Sequence, residues 1–114
     1  MKVKNRIKKG TEFQKVIADG VEIKSHFYKL YFISNDYGYP RIGISVPTKI
    51  GHAVVRNKIK RQIRAIIAQE LNFELSFDIV IIVKRNYDTD SFNEVKQDFL
   101  ELVKKVGNNS EKIA

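Results

Sequence analysis

Apolar residues along the chain repeat with two different periods, and the switch between them divides it into elements. Phe13, Val16 and Ile17, three and four apart behind a capping Thr11, predict a short helix that stops near Asp19-Gly20. Beyond Gly20 the period falls to two. Phe27 to Ile33 is aromatic and β-branched, Gly38-Tyr39-Pro40 marks a turn, and Arg41 to Val46 alternates. This predicts an antiparallel pair, with a further short strand near Val21 to Lys24. On the second member Ile42, Ile44 and Val46 share one face and Arg41, Gly43 and Ser45 the other; on the first, Tyr28, Leu30 and Phe32 oppose Phe27, Lys29, Tyr31 and Ile33. Each strand keeps one face ill suited to a closed core.

Phe77 to Lys84 is apolar on both faces, as in a central strand covered on both sides. Ser91, with Glu94 three residues on, forms a capping-box pattern ahead of a last helix that carries Val95, Phe99, Leu102 and Val106 at helical spacing. The strongest helical signal runs from Gly51 to Leu71, where Val55, Ile59, Ile63, Ile66, Ile67 and Leu71 form one stripe. The order is α-β-β-β-α-β-α, an α+β fold: a single two-layer domain with a four-stranded sheet and helices. Residues 1–8 read as a basic arm and 107–114 as a frayed tail.

The long helix carries the chemistry. At 100° per residue Asn57, Arg61 and Arg64 fall in one row opposite the apolar stripe, with Lys60 and Lys58 on the flanks, while Arg56 lies near the apolar margin and must snorkel or meet a partner. A solvated helix mixes signs so that i,i+4 pairs support it, yet no acidic residue stands near these cations before Glu70. Phosphates that neutralise the row and release counterions account for it better.

Charge over the whole chain agrees. The 114 residues carry a net charge of +8, split into +11 over residues 1–64 and −3 over the remainder. The excess gathers in Lys2 to Lys15 and Lys49 to Arg64, which marks a polyanionic partner. An interfacial membrane helix wants bulky aromatics on its apolar side, whereas this one has the Ile and Val of a core face. The absence of cysteine removes disulfide scaffolds, thiolate zinc sites and cysteine nucleophiles, and fits a reducing compartment. With no apolar run long enough for a membrane span or secretory signal, a cytoplasmic location is expected.

Among nucleic acids, a major-groove reader needs a recognition helix on a small helical scaffold, and this helix follows aromatic strands. An open sheet face with Phe27, Lys29, Tyr31 and Ser45, flanked by Phe13, suits an unpaired RNA strand, although each aromatic taken singly is as well explained by core packing. A self-sufficient nuclease would need clustered carboxylates, and Asp88, Asp90 and Glu94 sit where capping explains them. A general RNA-binding protein is the other alternative.

The run Arg41-Ile-Gly-Ile-Ser-Val-Pro-Thr-Lys-Ile-Gly-His-Ala-Val-Val-Arg-Asn-Lys-Ile-Lys-Arg-Gln-Ile-Arg64, with Arg6-Ile-Lys-Lys9, Glu12-Phe13 and Asp78-Ile-Val-Ile-Ile-Val83, resembles the bacterial ribonuclease P protein subunit over nearly the whole chain. The resemblance implies a left-handed βαβ crossover, against the usual rule. It also implies a subunit of a ribonucleoprotein endonuclease that removes the 5′ leader of precursor tRNA, with catalysis by the RNA and its Mg²⁺ ions and no catalytic residue, metal or cofactor on the protein. The partners are then the catalytic RNA subunit and precursor tRNA, with one copy of a monomeric protein per RNA. By the same resemblance Lys49, Arg56, Asn57, Lys58, Lys60, Arg61 and Arg64 face the catalytic RNA, and Phe13, Ile17, Lys29, Tyr31, Ser45 and Ile82 line a cleft for the single-stranded leader. The chain departs from the family's commonest pattern at Lys58, Ile17 and His52, where Arg, an aromatic and Asn are usual. Lone His26 and His52 read as structural or solvated rather than catalytic.

Overall fold

The computed structural model describes residues 2–113, with side chains through Gly107, so the expected frayed tail at 107–114 lies almost wholly outside the described side chains. Helix α1 spans Gly10–Asp19, followed by strands β1 Val21–Lys24, β2 Tyr28–Ser34 and β3 Arg41–Ser45, helix α2 Ala53–Glu70, strand β4 Phe77–Val83 and helix α3 Phe92–Ile113. Short 3-10 turns occupy Val3–Asn5 and Thr48–Ile50. The element order is the expected one.

The sheet order is β1-β2-β4-β3, with β1–β2 and β2–β4 antiparallel and β3–β4 parallel. The expected pairing of β2 with β3 is therefore incorrect: β4 lies between them. It is the one strand apolar on both faces, whereas β2 and β3 each have a half-polar face that tolerates less cover. One face of the sheet, carrying Tyr28, Leu30, Phe32, Ile42, Ile79, Ile81 and Val83, joins Ile59, Ile63, Ile66 and Ile67 of α2 and Val95, Phe99, Leu102 and Val106 of α3 in the main core.

Three local expectations change. Phe27 lies one residue before β2, so strand alternation does not govern it; at 6 % exposure it packs edge-on against Tyr28 and Tyr87 in the core, not on the open face. Val55, 41 % exposed, lies outside the apolar stripe's buried part, because the core meets α2 only from Ile59 onward. Thr11 is not the cap of α1: the helix starts at Gly10, with Lys9 in the capping place. His52 does hold the N-cap place of α2, without a side-chain capping bond.

Polar side chains fix the loops to this frame. Asp98 of α3 accepts from the Ser25 hydroxyl at 2.6 Å and the Phe27 amide at 2.8 Å, and the Tyr28 hydroxyl donates to the Val95 carbonyl at 2.8 Å. Burial pushes the Tyr28 phenol far above its usual range, which keeps it a neutral donor. Before α3, Ser91 donates its hydroxyl to Asp88 at 2.9 Å. Among the described residues no helix is long and apolar enough to cross a membrane.

Candidate nucleic-acid interface

Registered strands set side chains in rows across the second face of the sheet, since directly paired residues point the same way. Lys24, Lys29, Ile82 and Ser45 form one row. Glu22, Tyr31, Val80 and Gly43 form the next, and Ile33, Asp78 and Arg41 a third. Helix α1 lies across this face. Its Val16 is 2 % exposed, beside a Val80 that is wholly buried, and Gly20 has the Phe32 carbonyl so close that a β-carbon there would stand 2.8 Å from it. Phe13 rests on Gly43.

What α1 leaves uncovered is a strip containing Lys29, Ile82 and Ser45, edged by Tyr31, with Phe13 and Ile17 on the helix side. All six are half-buried, neither sealed in the core nor fully in solvent. The structure thus brings the whole expected cleft set onto one side of the sheet. Glu22, which sequence reasoning did not include, also stands there. The Tyr31 hydroxyl donates to its carboxylate, which raises the phenol pKa, while that bond and Lys24 at 3.2 Å hold the carboxylate low. Only the register of β1 on β2 reveals that contact.

The basic helix divides into two groups. Asn57, Lys58 and Arg61 are exposed, as is Lys49 in the preceding turn. Arg56 meets a partner, its Nε donating to the Gly51 carbonyl at 3.2 Å. Lys60 and Arg64, one turn apart, are half-buried and lean toward the outer edge of β3, which the N-terminal arm pairs at Ile42. Arg64 therefore leaves the row expected for it with Asn57 and Arg61. Together with Arg6, Ile7, Phe13 and Gly43 these two cations line a notch at that edge, where the Ile7 amide donates to the Ile42 carbonyl at 3.0 Å. The Arg64 Nε is buried there without a hydrogen-bond partner among the described residues. A buried N–H without an acceptor is costly, and a phosphate oxygen is a suitable acceptor.

A second feature went unseen in the sequence. Arg41 is bidentate to Asp78, with Nε to Oδ1 at 2.9 Å and Nη2 to Oδ2 at 2.7 Å, and its Nη1 reaches Glu12 of α1 at 2.6 Å. Asn35 also donates to Asp78 at 2.9 Å. The hydrogen bonds that the guanidinium donates to Asp78, more than the two charges, keep it firmly protonated. The residue beside Phe13 is thereby tied to the sheet. The one signal in the sequence was Asp78 itself, a carboxylate in an otherwise apolar strand. Asp88 and Asp90, by contrast, serve a turn: the Asp90 amide donates to Asp88 Oδ1 at 2.9 Å.

The sequence model of a family described as Ribonuclease P matches residues 1–107. A ribonuclease P protein component from Mesoplasma florum is 43 % identical over 105 residues, which cover 90 % of this chain and 96 % of that protein. A Staphylococcus aureus RNase P protein, solved as a mutant with defective mRNA degradation activity, superposes with a TM-score of 0.77 at 32 % identity, covering 92 % of this chain and 89 % of the other. The Thermotoga maritima RNase P protein superposes with a TM-score of 0.76 at 28 % identity, over 88 % and 96 %.

Proposed function

The chain belongs to the ribonuclease P protein family, a protein component that works with an RNA subunit in an endoribonuclease, and from this premise we propose how its two surfaces divide the work. The exposed face of α2, with Asn57, Lys58 and Arg61 and the neighbouring Lys49 and Arg56, receives the folded catalytic RNA. The strip beside α1, with Phe13, Ile17, Lys29, Tyr31, Ser45 and Ile82, holds the unpaired 5′ leader of precursor tRNA. Lys60 and Arg64 stand between the two, in the notch beside Phe13.

In this reading the protein binds and positions while the RNA, with its own Mg²⁺ ions, performs the hydrolysis. One protein copy serves each RNA, in the cytoplasm. The observation that carries the reading is the half-burial of all six strip residues on a face that α1 covers only in part. Aromatic and aliphatic walls beside a lysine suit successive bases and their backbone without demanding a sequence. The test compares precursor and mature tRNA on the reconstituted complex. Phe13→Ala and Tyr31→Ala should each weaken precursor binding about tenfold, as the loss of one stacked base does, and leave mature tRNA unaffected. Equal losses for both RNAs would refute the cleft.

A further inference from the structure

Helix α2 carries Lys60, Arg64 and Ala68 at intervals of four, one line along its surface. The N-terminal arm accompanies that line. Arg6 stands with Lys60 and Arg64 in the notch at the β3 edge. One turn farther along, beside Ala68, a recess is walled by Lys2, Lys4, Asn5, Tyr39 and Phe73. No acidic side chain lines either the notch or the recess.

The recess is built rather than loose. Asn5 is buried and its side-chain amide donates to the Pro40 carbonyl at 2.7 Å, which fastens the arm to the loop bearing Tyr39. The loop is itself pinned, with the Asn35 amide donating to the Tyr39 carbonyl at 3.2 Å and the Gly38 amide to the Ser76 hydroxyl at 3.1 Å. The ammonium of Lys4 lies 4.6 Å from the centre of the Tyr39 ring, and Tyr37 flanks that ring at 5.6 Å. Tyr39 and Phe73 are both half-buried.

Cations alone would suit any phosphate, and apolar walls alone any peptide. Aromatic walls with two lysines and no counter-charge match a nucleotide, with the base against a ring and the phosphate on an ammonium. Since that base would replace the Lys4 ammonium on the ring, the displaced lysine would be free for the phosphate. We propose that this recess takes one unpaired nucleotide of RNA, at the end of a phosphate track that runs along α2 from the notch, as a single-strand site separate from the leader strip. The inference rests on the RNA-binding reading above. The nucleotide has two sources, the catalytic RNA subunit and the distal part of a long leader.

The experiment titrates the isotopically labelled full chain with hexauridylate and follows backbone amide shifts. The expected result is saturable shifts at Tyr39 and Phe73 as well as at Tyr31. The double substitution Lys4→Ala with Tyr39→Ala should abolish the recess shifts, keep those at Tyr31, and weaken RNA binding about tenfold. Measured against the RNA subunit alone, that loss assigns the nucleotide to the subunit; confined to precursors with long leaders, it assigns it to the leader. Shifts at Tyr31 with none in the recess overturn this inference and leave the leader strip standing. Absence of shifts at both, with no binding of the RNA subunit, overturns the parent reading as well.

Discussion

The ring of Phe13 occupies the space a side chain at residue 43 would need: a β-carbon built on Gly43 would stand 2.6 Å from Phe13 Cε2 and 2.7 Å from Cδ2. A helix side chain thus touches strand backbone, and α1 sits correspondingly low over the sheet. Gly43→Ala forces the ring outward. The expected result is a loss of roughly 1–3 kcal/mol in stability, as for other overpacked sites, with weaker binding of precursor tRNA and unchanged binding of mature tRNA. Thermal unfolding and the two affinities check it; a variant that matches the parent in both would show that the ring has room to move.

The three-way contact of Arg41 predicts an ordered pair of effects. Asp78→Asn leaves a largely buried guanidinium with one weakened partner and should cost about 3–5 kcal/mol in urea unfolding, as expected when a buried pair is broken. Glu12→Gln removes the more exposed partner and should cost no more than about 1 kcal/mol. Its larger effect should be on precursor affinity, because Glu12 anchors the turn that carries Phe13. Equal destabilisation by the two substitutions would contradict this hierarchy.

The exposed cations of α2 predict a change in salt dependence. Replacing Arg61 by Ala should reduce the slope of log affinity against log salt for the catalytic RNA by about 0.7–0.9, the value for one lost phosphate contact. Arg64→Ala should do the same while also weakening precursor tRNA, since its side chain stands in the notch with Phe13. Filter binding over a salt series measures both. A slope unchanged by Arg61→Ala would leave that side chain in solvent.

The turn before α3 predicts a pH effect. The Asp90 amide, then the Ser91 hydroxyl, hold the Asp88 carboxyl below its ordinary value of 3.8. A lowered folded-state pKa contributes stability above the unfolded value and loses it as pH falls through the folded one. Wild-type stability should therefore fall below about pH 3.8, and Asp88→Asn should flatten that part of the curve. Chemical denaturation at a series of acid pH values checks the slope; identical curves would remove Asp88 from the balance.

Much of this was legible from period and parity, and the failures have definite causes. Lys29, Tyr31 and Ser45 share one face of the sheet as alternation predicts, because alternation within a strand is local, whereas Ile82 joined them only through the family resemblance. Which strand lies beside which is not local: nothing within β2 or β3 announces that β4 will separate them, even though β4's two apolar faces marked it as central. Phe27 was misplaced because its strand starts one residue later, and alternation fails outside a strand. Arg64 was misplaced because a helical wheel fixes where a Cβ points, not where a long flexible side chain ends. The contact of Arg41 with Glu12 and Asp78 joins residues far apart in the chain, and only the tertiary register brings them together.

The insertion of β4 between β2 and β3 also governs when the molecule becomes competent. Helix α2 is complete in sequence at Glu70, but the strip that α1 leaves uncovered takes its Ile82, and the covered part of that face its buried Val80, from a strand synthesised afterwards. The basic segment of α2 is therefore complete in the chain before the strip proposed for the leader can form. Closing the sheet requires β4 to enter between two strands already made, a non-local step of the kind that slows folding. If the proposed division of surfaces holds, a truncation ahead of Phe77 should keep the charge that attracts RNA and lose the preference for precursor over mature tRNA.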